Sequence, residues 1–149
     1  MVDVGAKPES VRTARAEGTI RMDPAALALV RGSSGPKGDV LSTAELAGTM
    51  AAKRTAELIP LCHPIGLDQV VVKVEADATV PGVRVEAQVK ATGRTGVEME
   101  ALTAVSLALL TVYDMVKASG HGMEIMGIRL VEKTGGTRGD WNRANGRTA

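Results

Sequence analysis

Apolar residues follow a helical period over one long stretch of the chain, residues 95–118. They recur every three or four positions and form one stripe, made of Leu102, Val105, Leu109, Val112 and Val116. Leu107 and Leu110 lie on the opposite side, so the helix is apolar around most of its circumference. Thr95 and Glu98 have capping-box spacing, and Gly120 follows as a stop signal. The pattern therefore predicts a helix over residues 97–118 that is covered on a second side, in our interpretation by another subunit.

The segments before this helix predict two helices and three strands. Gly18 to Met22 predicts a short strand, and Asp23 with Pro24 marks the start of the first helix. A second helix is expected from Ser42, because Ser42 and Glu45 repeat the capping-box spacing. Residues 69–76 and 83–91 alternate and predict an antiparallel hairpin.

The remaining segments complete one domain over residues 1–149. A final strand is expected around residues 124–131. The first 15 or so residues and the tail after about residue 135 are polar, and we expect both to be flexible. The order β-α-α-β-β-α-β predicts an α+β fold, a ferredoxin-like plait whose antiparallel sheet has helices packed on one face.

Composition excludes some classes of function. Phe is absent, and Tyr113 and Trp141 are the only aromatic residues, so a base-stacking surface for single strands is not expected. The net charge of +1 gives no general field for a polyanion, although local basic clusters remain open. Cys62 is the sole cysteine, which excludes an internal disulfide and suits a reducing compartment. No signal-peptide core is present, and the longest apolar run is shorter than a membrane span. We therefore expect a cytoplasmic, soluble protein that binds neither nucleic acid nor membranes.

Cys62 and His63 lie between two prolines in the segment LIPLCHPIG, residues 58–66. A structural zinc site needs four nitrogen or sulfur ligands, and the chain offers one cysteine and two histidines. Two interpretations remain open. The segment is either a packed loop with an inert thiol, or a rigid loop that presents His63 to a ligand.

Three lysines are candidates for anion binding or proton transfer. Lys37 lies in a Gly-rich loop that could present it to an anion, but a solvated lysine explains the pattern equally well. Lys53 beside Arg54 is typical of a solvated helix face. Asp114 and Lys117 are spaced i,i+3, which indicates either a surface ion pair or an acid–base pair at a buried interface.

Taken together, seven segments occur in the order seen in one known family: MVDV, KGDV, AAKRT, LIPLCHP, TGVEMEALTA, VYDMVKA and IRLVEKTGG. The chain resembles the MoaC family of cyclic pyranopterin monophosphate synthases from residue 2 to about residue 141. The resemblance implies a lyase of molybdenum cofactor biosynthesis. Its substrate would be (8S)-3′,8-cyclo-7,8-dihydroguanosine 5′-triphosphate, rearranged to cyclic pyranopterin monophosphate with release of pyrophosphate.

The resemblance also implies roles for individual residues. Asp114 and Lys117 match the catalytic pair of the family. The matched substrate-binding positions are Leu61, Cys62, His63, Met99 and Glu100. Further active-site positions match Lys37, Lys53, Glu98, Lys133 and Arg12. The chain departs from the family pattern at His121, where some relatives have lysine, and at Thr137-Arg138, which puts the C-terminal phosphate contacts in question.

The same resemblance implies a hexamer, built as a trimer of dimers, with the site at the dimer interface. No cofactor is expected, although Mg²⁺ could accompany the triphosphate. Two other classes of function compete with this interpretation. One is a non-catalytic, oligomeric nucleotide- or pterin-binding module, and the other is a metal-dependent pterin cyclohydrolase, which the shortage of His and Cys disfavours.

Overall fold

A five-stranded antiparallel sheet with helices on one face forms the protein, as described by a computed structural model of residues 1–32, 37–77 and 79–144. The elements in chain order are β1 (Ser10–Arg21), α1 (Pro24–Gly32), α2 (Val40–Lys53), α3 (Thr55–Leu58), β2 (Gln69–Asp77), β3 (Gly82–Gly93), α4 (Glu98–Val116), β4 (Glu124–Thr134) and β5 (Trp141–Asn142). A 3-10 turn, Lys117–Ser119, continues α4.

The strand order is β2-β3-β1-β4-β5, and all neighbours pair antiparallel. Its first four strands have the arrangement of a ferredoxin-like plait, with β5 added at one edge. The predicted α+β class is therefore confirmed. The predicted hairpin is also observed, with Gln69 opposite Lys90 and Asp77 opposite Gly82.

The N-terminal part of the chain corrects the sequence prediction. The strand expected at Gly18 begins eight residues earlier, at Ser10, and it is the central strand of the sheet. Its helix-facing positions include Ala14, Ala16 and Gly18, which give a weak hydrophobic signal. Their small size lets α4 lie close to the strand, since a Cβ on Gly18 would collide with Leu109 and Val105.

The C-terminal part also contains structure that was not predicted. Gly135 N–H donates to Asp140 (2.9 Å), and Trp141 then pairs with Lys133 across β5 and β4. The rest of the expected flexible tail, residues 145–149, lies outside the described residues, as do residues 33–36 of the Gly-rich loop.

Helix α4 forms the centre of the core. Its sheet-facing side chains are fully buried, among them Val105, Leu109 and Val112. By length and composition alone, residues Glu98–Ser119 could cross a membrane, contrary to the sequence estimate of a shorter run. More than half of that segment is buried within the protein, which is typical of a core helix.

The predicted capping boxes do not form. The residue before α4 is Val97, which makes no side-chain capping bond, and Glu98 binds Lys133 instead. Helix α2 begins two residues before Ser42, because Asp39 is its N-cap and accepts from the Ser42 N–H (3.1 Å). Asp23 caps α1 as predicted, accepting from the Ala26 N–H (2.8 Å).

The face of the sheet away from the helices is covered by paired charges. Arg15 bonds both Glu86 and Glu132, at 3.3 and 3.2 Å. Glu17 accepts from Arg84 and Arg129, at 2.7 and 2.6 Å. Burial favours the neutral form of Glu17, but the two guanidinium groups outweigh it and lower the pKa of this carboxyl. This face is therefore polar and internally neutralised.

Candidate active site

A cavity of about 410 Å³ opens at the N-terminal end of α4. It is bounded by β1, β4, the loop after α3 and the N-terminal segment. Eight of the residues predicted from the sequence line it: Arg12, Leu61, Cys62, His63, Glu98, Met99, Glu100 and Lys133.

The cavity is strongly cationic although the whole chain is nearly neutral. Five cationic side chains line it against two carboxyl groups: Lys7, Arg12, Arg94, Lys133 and Arg138, and Glu98 and Glu100. Such an excess of positive charge in a concave site concentrates anions. The arrangement is therefore suited to a ligand that carries several negative charges.

Arg12 is the most deeply placed of these cations. Its residue surface is only 8% exposed, and its Nε donates to the Gly93 carbonyl at 3.3 Å. Among the described residues it forms no ion pair. A buried guanidinium without a carboxylate is costly unless an anion compensates its charge.

Two glycines make room for Arg12. Gly135 and Gly136 have φ values of 82° and 90°, a region that favours glycine. A Cβ on Gly136 would collide with the Arg12 guanidinium, and one on Gly135 would collide with the backbone of Val11. The loop after β4 can therefore close over Arg12 only with glycine at both positions.

Two carboxyl groups of α4 face the cavity in different environments. Glu98 forms an ion pair with Lys133, which holds that carboxylate at the rim. Glu100 is 4% exposed, and no described residue donates a hydrogen bond to its Oε2. Burial raises the pKa of Glu100, and the charge of Glu98 acts in the same direction. Glu100 thus has an unsatisfied polar atom that a ligand could satisfy.

The loop after α3 forms one wall, with Leu61, Cys62 and His63 all lining the cavity. Burial raises the pKa of the Cys62 thiol, and the charge of Glu100 raises it further. The thiol is therefore a poor nucleophile here, because the reactive form of cysteine is the thiolate. Of the two open interpretations of this loop, His63 at a ligand cavity is the one the geometry favours.

The N-terminal segment adds residues that the sequence analysis missed. Val2, Val4 and Lys7 line the cavity although this segment was expected to be flexible. Arg94 anchors it, since its guanidinium donates to the Gly5 carbonyl (3.2 Å) and lies 3.7 Å from Glu9. Arg94 lies between a predicted strand and the predicted start of the long helix, and this position was the sequence feature that could have indicated its place at the cavity.

A second cluster lies at the other end of α4. Asp114 bonds Lys37 at 2.6 Å and Lys117 at 2.8 Å, and all three side chains are about half exposed. These two lysines, with Lys117 the stronger influence, lower the pKa of Asp114 to about 2. In return, Asp114 raises the pKa of Lys117. Lys117 is accordingly a protonated cation at neutral pH.

None of these three residues lines the cavity, and Lys53 does not either. Residues 98 and 117 are 19 positions apart, which corresponds to about 28 Å along a helix. Lys53 is exposed at the end of α2, outside the cavity of its own chain, so the substrate-binding role that the resemblance implies for it stays a prediction. One chain therefore brings eight of the twelve predicted residues together and leaves the other four outside.

No group of three or more His, Cys, Asp or Glu side chains that could hold a metal ion occurs among the described residues.

The fold and the cavity define a class of protein, an α+β domain with a cationic pocket at the N-terminal end of its core helix. Comparison with known proteins makes the class specific, because the MoaC family profile matches residues 1–136. The chain belongs to the MoaC family.

Curated relatives cover nearly the whole chain. It is 62% identical over 141 residues to the cyclic pyranopterin monophosphate synthase of Methylobacterium sp. (strain 4-46), covering 95% of this chain and 88% of that protein. It is 63% identical to the protein of the same name from Methylobacterium nodulans, covering 93% and 87%. The protein of that name from Brucella ovis is 58% identical, with 95% and 86% covered.

Proposed function

We propose that this protein is a cyclic pyranopterin monophosphate synthase of molybdenum cofactor biosynthesis. It converts (8S)-3′,8-cyclo-7,8-dihydroguanosine 5′-triphosphate to cyclic pyranopterin monophosphate and releases pyrophosphate. The names of relatives 58–63% identical over most of the chain support the activity. The buried Arg12, which forms no ion pair among the described residues, lies in a cationic cavity and is the structural observation that carries the proposal.

The charges of the cavity suit the two parts of this substrate. A triphosphate requires several cations, and Arg12, Lys133 and Arg138 line one region around the β4 end. The purine-derived ring presents amino and ring N–H groups, which the unsatisfied oxygen of Glu100 can accept. Binding of this ligand would therefore give the Arg12 guanidinium an anionic partner and the Glu100 Oε2 atom a hydrogen-bond donor, which neither has among the described residues.

Asp114 and Lys117 are the proposed catalytic pair. A cyclic phosphate forms when a substrate hydroxyl attacks the α-phosphorus and the bond to pyrophosphate breaks. Cations near the leaving group stabilise the negative charge that develops on it. Lys117, whose pKa is raised by Asp114, can supply a proton to an intermediate or leaving group, and the ion pair with Asp114 orients it.

The active site is proposed to be shared between subunits. The cavity and the Lys117 cluster lie about 28 Å apart along α4, too far for one small substrate to touch both. A second chain can supply the missing cluster, and this arrangement agrees with the hexamer, a trimer of dimers, that the family resemblance implies. We further propose that the protein is cytoplasmic, needs no resident cofactor and accepts its triphosphate with or without Mg²⁺.

A direct assay tests the activity. The protein is incubated with the cyclic triphosphate, and pyrophosphate and the pterin product are measured, with and without chelator. Formation of both products in equal amounts is expected. Binding without turnover would instead identify a non-catalytic module, and turnover abolished by chelator and restored by a transition metal would identify a metal-dependent enzyme.

A mixing experiment tests the shared site. His63→Ala and Lys117→Ala should each be inactive, but co-expressing them creates some pockets in which both defects coincide and others that are wild type. Up to about a quarter of sites should recover if mixing is random. If both residues act in one chain, every pocket keeps a defect, so zero activity with mixing confirmed by mass spectrometry contradicts the shared site.

A further inference from the structure

The first nine residues of the chain lie along one side of the cavity. This segment contains a turn, in which the Lys7 N–H donates to the Val4 carbonyl (3.1 Å), but it is neither helix nor strand. The side chains of Val2, Val4 and Lys7 line the cavity from this side. We call residues 1–9 the N-terminal strap.

The N-terminal strap is held in place by a single side chain. Eight of its nine residues are exposed, and only Val4 is half-buried. Within the described part of the chain, the hydrogen bond and the ion pair that join the strap to the rest of the protein are both made by Arg94. Its guanidinium donates to the Gly5 carbonyl (3.2 Å), and its Nε lies 3.7 Å from Glu9 Oε1. The position of the strap over the cavity therefore depends on Arg94.

The backbone of Arg94 is fixed, although the contacts of its side chain are weak. Arg94 follows directly on β3, which ends at Gly93 and pairs with β1, and it precedes α4, which begins at Glu98. Its side chain is 48% exposed, so its contacts with the strap lie in solvent. Ion pairs and hydrogen bonds in such surroundings contribute little free energy. We therefore expect the strap to open and close while the rest of the cavity stays folded.

Closure of the strap adds a cation and an apolar cover to the cavity. Lys7 is the one basic side chain of the strap, and it lines the cavity when the strap is closed. A ligand with several negative charges binds more tightly beside this extra cation, so it should favour the closed position. Val2 and Val4 cover the same side, and the exclusion of water strengthens the attraction between the ligand and the cations.

We propose that Arg94 is a positioning residue, whose guanidinium fastens the N-terminal strap across the cavity and thereby places Lys7 beside the phosphate groups of the ligand. The open strap admits the ligand, and the closed strap retains it. The inference rests on the proposed function for the class of ligand, a triphosphate, and it adds a residue that controls the binding. The alternative is a direct contact between Arg94 and the phosphates, since Arg94 also lines the cavity.

The single cysteine of the chain can report whether the strap is closed. Cys62 lines the same cavity, so a bulky, uncharged maleimide should label its thiol faster when the strap is open. We expect Arg94→Ala to increase the labelling rate, and Arg94→Lys, which keeps a charge and a donor, to restore it in part. The electrostatic effect has the opposite sign, because the loss of a positive charge disfavours the reactive thiolate. A faster rate would therefore report greater access to the cavity.

Arg84→Ala provides a matched control for the labelling experiment. Arg84 lies on β3, and its side chain is 50% exposed, but it pairs with Glu17 at 2.7 Å on the open face of the sheet. This variant should keep the wild-type labelling rate, and circular dichroism checks that both variants are folded. An unchanged or slower rate for Arg94→Ala, or an equal acceleration for Arg84→Ala, would overturn the inference.

A double-mutant cycle separates positioning from direct contact. Inorganic triphosphate is the probe, and isothermal titration calorimetry gives its dissociation constant for the wild type, Lys7→Ala, Arg94→Ala and the double variant. If Arg94 places Lys7, each single substitution should weaken binding by about two- to tenfold, and Lys7→Ala should have little further effect once residue 94 is alanine. If both cations contact the phosphates independently, the two effects multiply, and that result would refute the positioning role.

These outcomes distinguish the inference from the proposed function. Coupled effects on triphosphate binding, in a protein that forms no pyrophosphate from the cyclic triphosphate, would keep the role of Arg94 and remove the activity. Turnover of the cyclic triphosphate together with independent effects of the two substitutions would keep the activity and remove the role of Arg94. A wild type that does not bind inorganic triphosphate would contradict the placement of Lys7 beside phosphate groups.

Discussion

The two ends of α4 hold their charges in different ways. At the N-terminal end, Arg12 and Glu100 are almost completely buried around a cavity. At the C-terminal end, Lys37, Asp114 and Lys117 are about half exposed, and their ion pairs lie in solvent. Ion pairs between exposed charges contribute little free energy, whereas the interaction between the same charges is stronger where water is excluded.

We infer from this difference that the two ends of α4 have different roles. The buried end is organised without a ligand, and in the proposed function it binds the substrate. The exposed end has the groups suited to proton transfer but lacks an enclosure of its own. In the proposed shared site, the cavity of a second chain would supply that enclosure, which would explain why the proposed catalytic pair lies outside the cavity of its own chain.

The largest expected effect is at the exposed end. Lys117→Ala should lower kcat by about 10²–10⁴-fold, the usual contribution of a general acid or base, with little change in substrate affinity. Lys117→Arg should fail as well, because a guanidinium stays protonated at neutral pH and is a much weaker acid than an ammonium group. Single-turnover kinetics with Lys73→Ala as a control measures this. A near-normal kcat for Lys117→Ala would remove the residue from the mechanism.

At the buried end of α4, we expect a substitution of Arg12 to change the affinity for the triphosphate. Arg12→Ala removes a charge-assisted bond worth about 1.5–3 kcal/mol, so the dissociation constant of the triphosphate should rise by about 10- to 150-fold. Arg21→Ala provides a matched control on the same strand, since Arg21 is exposed and paired with Glu124 at 2.8 Å. Equal affinities for the two variants would show that Arg12 does not contact the ligand.

A smaller effect concerns the pH profile. Because Asp114 raises the pKa of Lys117, Asp114→Asn should let Lys117 lose its proton at a lower pH. The alkaline limb of kcat against pH should therefore move to lower pH. Glu75→Gln, which alters an exposed carboxylate on β2, should leave the limb in place. An unmoved limb for Asp114→Asn would mean that another group titrates there.

The smallest effect is on stability, and it has opposite signs at two neighbouring carboxyl groups. The raised pKa of Glu100 means that the folded state binds its proton more tightly than the unfolded state does. The ionised group thus destabilises the fold as the pH rises above the ordinary glutamate range. Glu100→Gln should increase the free energy of unfolding at pH 8, but not at pH 3, by no more than about 1–3 kcal/mol.

Glu98→Gln provides the contrast, because it breaks the ion pair with Lys133 and should lower stability at pH 8. Chemical denaturation of both variants at the two pH values measures the difference. A loss of stability for Glu100→Gln at pH 8 would show that this carboxyl has a partner in the folded protein.

The sequence alone was sufficient for features that depend on local pattern. The apolar period predicted α4 to within a residue or two, and alternation predicted the β2–β3 hairpin. The helical period also placed Leu110 on the side of α4 opposite the main apolar stripe, where its surface is 52% exposed in the single chain. The seven sequence segments also identified the family, because an assignment of this kind depends on sequence similarity and needs no structure.

Long-range pairing was decided only by the tertiary structure. Strand β1 was missed over its first eight residues because its buried positions are small residues, selected by the close approach of α4 rather than by hydrophobicity. The position of Arg12 depends on that strand and on Gly135 and Gly136, which are more than 120 residues away. No local pattern encodes such a contact. The structure likewise decided that the cavity forms at the N-terminal end of α4, so that Lys117 at the other end lies outside it.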